Sequence, residues 1–445
     1  MDVREHHARA AVPPRMTMTP TTNSKLQGSR PQPVAPNGGL RIVMICPPLH
    51  SHLRAFEALA LSLRARGHRP VFLAEAGAAI ASGHEVHHLP GQGEDSGSGW
   101  LAGDIRRGAR RSDRLCRLGP AILDRLAPDL ILGDQTEPAA GLLAAALAIP
   151  FLSVACALPF DPEPGIALPF LSWPYDTSQA GLKRNAGGER IARLLMAPHR
   201  RVIRHWSERW HLGQREDFAD CLSPCLTLSQ TVPGFDHPRP QSGRRIVELG
   251  PFGRTDTQDF PADIIPDRGR PLVYVSLGTL QGHRWRLLAR IAHACRTVGA
   301  QVLVSHGNAL EPRQASRIPA DWVRSFVPQQ AVLARADMCV THAGLNTTLE
   351  CLAHGVPMLA LPLTHDQPGV AARIEACGAG LRLGPAARRS GRIRAAVEQL
   401  LSQPGYRDAA GRFARESAGW EGAMGAIRQI EEVMAAVLRH AAARS

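Results

Sequence analysis

The 445-residue chain is predicted to be an α/β protein made of two doubly wound, parallel-sheet halves that face each other across a cleft. Three observations carry this. Short apolar runs alternate with amphipathic helical stretches, that alternation occurs twice along the chain, and a Gly-, Pro- and Asp-rich stretch lies between the two series. The length suffices for two or three domains with their own cores, and strands alternating with helices imply parallel sheets covered on both faces.

The first series opens at Gly39. "RIVMIC" reads as a strand, and "SHLRAFEALALSLRARGH" follows with Leu53, Phe56, Leu59, Ala60 and Leu63 at helical spacing. "RPVFLAE", "PDLILGD" and "IPFLSVA" read as further strands, the last two separated by an Ala-rich helix between Pro138 and Ala148. The stretch from Gln241 to Arg270 is rich in turn residues and reads as an interdomain linker. A second series then runs through "PLVYVSLGT", the helix "RWRLLARIAHACRTVG", "AQVLVSH", "DWVRSFV", "ADMCVTHAG", "VPMLALP" and "AGLRL". The expected division is a polar, Pro-rich disordered arm over 1–39, a first domain over 40–245, a linker over 246–270, a second domain over 271–420 and a terminal helix over 421–445. In such halves a ligand sits at the carboxyl ends of the strands.

Composition excludes several classes. No apolar run reaches the roughly 18 residues of a membrane span. The first 39 residues lack the apolar core of a secretory signal, so a cytoplasmic location is expected. Nine scattered cysteines, an odd number, suit a reducing compartment, and the pair in "CLSPC", Cys221 and Cys225, lacks the second pair or histidines of a zinc site. The net charge of +13 is almost entirely arginine, since Lys25 and Lys183 are the only lysines. The arginines are dispersed without interleaved aromatics, which argues against a nucleic-acid partner and leaves solvated helix faces or a patch facing an anionic membrane.

Two turns carry the chemistry. "THAGLNTTLE", Thr341 to Glu350, reads as a strand-to-helix turn in which His342 and Gly344 bring the backbone close to a ligand. Asn346, Thr347 and Thr348 then begin a helix whose free N–H groups favour an anion such as phosphate. A capping box between Thr347 and Glu350 is the alternative reading. "SLGTLQGH" is a second such turn, with Ser276, Gly278 and Thr279 suited to phosphate contact.

In order and spacing, the stretch from Val327 to Ile374 resembles the nucleotide-sugar signature of the family 1 glycosyltransferases, which have the GT-B fold. Glu350 follows His342 by eight positions and Asp366 follows Glu350 by sixteen. The resemblance implies UDP-sugar as donor substrate, with no separate cofactor and no metal. It implies that Phe326 stacks on uracil where plant members have tryptophan, that Gln329 and Glu350 hold the ribose, and that Val327 joins the donor contacts. His342, the backbone at Leu345, Asn346 and Thr347 cradle the diphosphate, and Asp366 and Gln367 bind the sugar hydroxyls.

"CPPLHSHLRAFEALALSLRARGH" resembles the first strand, turn and helix of the same enzymes, with the family spacing from His52 to Arg66, Gly67 and His68. His52 is the expected catalytic base and Asp134 its orienting carboxylate. Ser51 is expected to cap the helix, whose dipole should depress the His52 pKa and keep the imidazole neutral. His50 and an N-capping role for Asp134 are the competing readings. "GQGEDSG" has the wrong spacing for a dinucleotide fingerprint, and "TDTQD" lies in the linker rather than at a strand end, so neither an NAD enzyme nor an Asp-x-Asp metal site is expected.

The loop "LPFDPEPGIALPFLSWPYD" offers Phe160, Phe170, Trp173 and Tyr175 as walls of an apolar acceptor channel. Together with "SLGTLQGHRWRLL" and "LALPLTHDQPGVAARI" it resembles a branch of bacterial family members that glucosylate zeaxanthin. That implies an inverting transferase with a lipophilic carotenoid acceptor and peripheral contact with the inner face of the membrane, through arginine-bearing and apolar surface of the first domain. Another lipophilic aglycone, a macrolide or sterol, or sugar-nucleotide binding without turnover, are the alternatives.

Overall fold

A computed structural model describes residues 39–91, 101–253 and 258–443. The expected disordered arm, apart from Gly39, lies outside them, as do "GQGEDSG" beyond Gly91 and residues 255–257 of "TDTQD".

The first domain runs β1 (Arg41–Ile45), α1 (His50–Ala65), β2 (Arg69–Ala74), β3 (Glu85–His88), α2 (Leu101–Leu126), β4 (Leu130–Asp134), α3 (Pro138–Ala146), β5 (Phe151–Ala155), α4 (Gln179–Leu195), α5 (Ala197–Arg209), β6 (Thr227–Ser229) and β7 (Ile246–Glu248). Its strands form one sheet in the order β3-β2-β1-β4-β5-β6-β7. Every pair is parallel, with Val43 registered between Val71 and Ile131. The central strands are apolar without alternation because both faces are covered. On one face Ile42 and Met44 meet Phe56, Leu59 and Leu63 of α1, the residues whose spacing marked that helix. On the other, Val43 and Ile45 share a core with Leu123 of α2, Leu142 of α3 and Trp206 of α5.

The second domain runs β8 (Leu272–Ser276), α6 (Gly278–Gln281), α7 (Trp285–Thr297), β9 (Gln301–Ser305), α8 (Pro312–Ala315), β10 (Trp322–Arg324), α9 (Gln329–Leu333), β11 (Met338–Thr341), α10 (Leu345–Ala353), β12 (Met358–Ala360), α11 (Gln367–Ala376), β13 (Gly380–Arg382), α12 (Ser390–Ser402) and α13 (Pro404–Glu416). Its parallel sheet has the order β10-β9-β8-β11-β12-β13. The chain is therefore two parallel-sheet Rossmann-like domains.

Two expected boundaries change. The linker was placed from residue 246, but Ile246–Glu248 is strand β7, paired with β6 at the sheet edge, and Leu249 and Phe252 lie in the first domain's core. Three residues among glycines and prolines are too few to show a period. The terminal helix, α14 (Gly422–Ala442), belongs to the first domain: Ala426, Ile427, Ile430 and Met434 pack into its core, and Glu431 pairs with Arg66 at 2.9 Å. The chain thus crosses between the domains twice, and the crossings touch, Gly422 N–H donating to the Leu249 carbonyl at 2.7 Å.

Elsewhere the domains are joined by a buried ion pair. Arg373 Nε of α11 donates to Asp236 Oδ1 at 2.5 Å, and Arg239 Nη1 to Asp236 Oδ2 at 2.6 Å. Nearby, Gly369 N–H donates to the carbonyl of Pro169, in the loop after β5, at 2.8 Å.

Candidate active site

The residues singled out from sequence lie on loops at the carboxyl ends of strands in both sheets, where ligands bind in such folds. From the first domain, His52 follows β1 and Asp134 ends β4, strands that are neighbours in the sheet. His52 Nδ1 lies 2.7 Å from Asp134 Oδ2, and both side chains are buried. The other carboxylate oxygen, Oδ1, accepts from Thr136 N at 2.8 Å and from Thr136 Oγ1 at 2.5 Å. Asp134 is not a helix cap: Glu137 caps α3, accepting from Ala139 N. Burial pushes the Asp134 pKa up, but His52 and the Thr136 donors outweigh it and hold the group below its usual value. With the carboxylate ionised, Nδ1 of His52 donates and Nε2 is left to accept a proton.

Two expectations about this turn are corrected. The cap residue of α1 is Leu49, two residues before the expected cap, so Ser51 lies within the first turn. The His52 pKa is raised rather than lowered. Burial pulls it down, but the charge and hydrogen bond of Asp134, with a smaller contribution from Asp366, carry it above its ordinary value. A carboxylate in contact outweighs the partial charge of a helix end. His50, the competitor, is solvent-exposed.

Asp366 belongs to the second domain, and its charge adds to the upward pull on the His52 pKa. Burial raises the Asp366 pKa, against an opposing pull from His52. Cys156, just beyond β5, brings a third ligand-type atom: His52, Asp134 and Cys156 offer atoms all within 4.8 Å of one another. Burial holds the Cys156 thiol far above its usual pKa, so the thiolate a metal would need is disfavoured and the trio fits proton transfer better.

In the second domain the turns after β8 and β11 meet around the ring of His342. A Cβ added at Gly278 or at Gly344 would lie 2.7 Å from His342 Cε1, so both positions must be glycine for the ring to fit, and Gly278 also has φ +73°. Between them Ala343 holds φ +64°, its N–H donating to Thr341 Oγ1 at 3.2 Å. Burial lowers the His342 pKa to about 4, and its buried Nδ1 has no hydrogen-bond partner among the described residues. Helix α10 begins with Gly344 as its cap residue and no side-chain cap, so Thr347 and Glu350 form no capping box. Instead Gln329 Nε2 donates to Glu350 Oε2 at 2.5 Å and to Thr347 Oγ1 at 3.3 Å, while Tyr274 Oη donates to Gln329 Oε1 at 3.0 Å. Ser276 is buried at the end of β8, Thr279 is exposed on α6, Asn346 is half-buried beside Leu345, and Val327 is half-buried. Phe326 presents a ring that is 63% exposed.

Gln367 behaves differently from its neighbour. Its Oε1 accepts from Leu363 N and Thr364 N, each at 2.8 Å, so its amide is folded onto its own loop. Of the aromatics expected to wall an acceptor channel, Tyr175 stacks on His237, Phe160 meets Phe218 edge-on and Trp173 lies under Arg184, whereas Phe170 is 44% exposed. Thr136, Tyr274 and Cys156 were missed in the sequence. Only Thr136, two residues after Asp134, carried a signal, as an Asx-turn pattern.

Comparison with known proteins agrees with this geometry. Residues 256–416 match the family model for UDP-glucoronosyl and UDP-glucosyl transferase. A zeaxanthin glucosyltransferase of Pseudescherichia vulneris is 40% identical over 360 residues, 78% of this chain and 86% of that protein. The chain belongs to the UDP-glucoronosyl and UDP-glucosyl transferase family. A second member, a zeaxanthin glucosyltransferase of Pantoea ananas, is 37% identical over 359 residues, covering 76% of this chain and 83% of its own length. Among solved structures the glycotransferase of kitacinnamycin superposes with a TM-score of 0.70 at 23% identity over 89% of this chain and 99% of that one. VinC in complex with dTDP gives 0.65 at 20% identity over 89% and 99%. These neighbours establish the GT-B architecture, and family membership makes the chain a UDP-sugar glycosyltransferase. Among the described residues no helix is long and apolar enough to cross a membrane.

Proposed function

We propose that the enzyme transfers glucose from UDP-glucose to the ring hydroxyls of zeaxanthin with inversion, working at the cytoplasmic face of the membrane. The names of the Pseudescherichia vulneris and Pantoea ananas relatives support the acceptor. The observation that carries the chemistry is the buried His52–Asp134 pair at 2.7 Å, whose imidazole also feels the charge of Asp366 of the opposite domain.

The acceptor hydroxyl gives its proton to His52 Nε2 as its oxygen attacks the anomeric carbon. The new C–O bond forms while the bond to the β-phosphate oxygen breaks, and UDP leaves with the electron pair. One displacement turns an α-linked donor into a β-glucoside. Asp134 steadies the imidazolium that results. Charge building on the diphosphate meets the amides at the start of α10, its dipole and the His342 ring, so the step as written uses no metal. Gln329, Thr347 and Glu350 form one hydrogen-bonded group suited to the ribose, and Phe326 offers a platform for uracil. Asp366 is assigned to accept from a sugar hydroxyl, as the family resemblance implies; Gln367, turned onto its own loop, shapes that loop.

Purified enzyme incubated with zeaxanthin and a panel of UDP-sugars should give zeaxanthin glucosides by mass, with UDP-glucose preferred. Product only with a macrolide or sterol acceptor would reassign the aglycone, and no product with any acceptor would leave a binding protein.

A further inference from the structure

Helix α4 has two unlike faces. Gly181, Asn185, Gly188 and Ala192 are buried against the loop that follows β5, with Asn185 Nδ2 donating to the Pro164 carbonyl at 2.9 Å and Gly188 lying under the Trp173 ring. On the outward face, Ile191, Leu194 and Leu195 stand at i, i+3, i+4 spacing and are 62%, 77% and 51% exposed. Among the described residues no other helix presents three large apolar side chains so openly.

The charges around this apolar patch are mostly positive, with Asp217 and the exposed Glu208 as the acidic exceptions. Lys183, Arg190 and Arg193 on α4, and Arg201 and Arg204 on the first turns of α5, are all exposed. Arg193 reaches Asp217 at 3.4 Å, but no acidic side chain among the described residues pairs with the other four. Glu189 lies on the opposite edge of α4 and is half-buried. Aliphatic side chains flanked by cations, four of them without an acidic partner, match an anionic lipid surface, whose headgroups draw the cations while the acyl boundary takes the side chains. A charged protein partner would be met by the cations but would leave the leucines in water.

We infer that the end of α4, with Ile191, Leu194 and Leu195 inserted and the arginines around them on phosphate headgroups, is the surface by which the enzyme docks on an anionic membrane. The inference rests on the proposed reading that the acceptor is lipid-borne. Its position fits that use. The buried face of α4 holds the very loop whose Pro169 carbonyl receives Gly369 N–H, three residues after Asp366.

The test is co-sedimentation of the full chain with phosphatidylcholine vesicles, with and without phosphatidylglycerol. Wild type should pellet with the anionic vesicles and be released as sodium chloride rises. The triple variant Ile191→Gln, Leu194→Gln, Leu195→Gln, whose side chains are exposed and so leave the core intact, should lose at least tenfold in vesicle affinity. It should also keep its melting temperature and its turnover of detergent-dispersed acceptor. A control, Arg286→Gln with Arg290→Gln, removes charge from a separate basic pocket on the second domain and should retain binding. Unchanged pelleting of the triple variant, equal binding to neutral vesicles, or loss only in the control would each overturn the assignment. Because vesicle binding is read without acceptor, failure of the carotenoid reading would show separately, as vesicle binding without zeaxanthin product.

Discussion

Asp134→Asn isolates the catalytic pair with little change of shape. Thr136 N and Oγ1 both donate to Oδ1, so in the variant they select the amide oxygen at that site and turn the NH2 toward His52 Nδ1. Nδ1 must then accept, its proton moves to Nε2, and the atom facing the acceptor can no longer take a proton. The imidazolium also loses a carboxylate held 2.7 Å away in a buried site. Breaking a buried charge pair costs about 3–5 kcal/mol. At about 1.4 kcal/mol per factor of ten, kcat should fall by roughly two to four powers of ten. Asp134 lies outside the UDP-binding turns, so UDP affinity measured by calorimetry should change less than threefold. A variant turning over within tenfold of wild type, with its fold intact by circular dichroism, would refute the assignment of His52 as base.

The pH profile follows from the same pair. The base works when neutral, and its pKa is raised, so kcat/KM should rise through a limb above pH 6.5; Asp134→Ala, leaving burial unopposed, should move any residual limb below it. By linkage the contribution of His52 to stability is full below pH 6.5 and fades as pH rises through the raised value, which thermal melts across that window will show. Acid should weaken the fold by another route. Burial lowers the pKa of His199 and His342 to about 4, so between pH 6.5 and 4 the unfolded chain binds more protons and up to about 3 kcal/mol per histidine is lost, readable by urea titration at pH 7 and 4.5. Gly344→Ala drives a methyl into the His342 ring and should reduce UDP affinity at least tenfold by calorimetry without unfolding the protein. Arg373→Met leaves Asp236 with Arg239 as its remaining ionic partner in a buried contact between domains and should cost about 3 kcal/mol in denaturant melts.

The two sheets were legible because their central strands are apolar runs separated by amphipathic helices, and Phe56, Leu59 and Leu63 face the core as their spacing required. Strands β6 and β7, three residues each at a sheet edge, carry no usable period. The residue types of the site stood out because turns of His, Gly, Asn and Thr between apolar runs are otherwise uncommon. Pairings across long separations were beyond a linear reading: Tyr274 to Gln329 spans 55 positions and Asp236 to Arg373 spans 137. The sign of the His52 shift was misread for the same reason, since the helix start is local whereas the distance to Asp134 is set by tertiary packing.

The return of α14 to the first domain bears on how the molecule is made. Ile427, Ile430 and Met434 close a core whose other members leave the ribosome well over a hundred residues earlier, so the amino-terminal lobe stays open on one side until α14 is made. Cutting the chain in the linker would free two fragments, and the one bearing His52 would carry a bare greasy face.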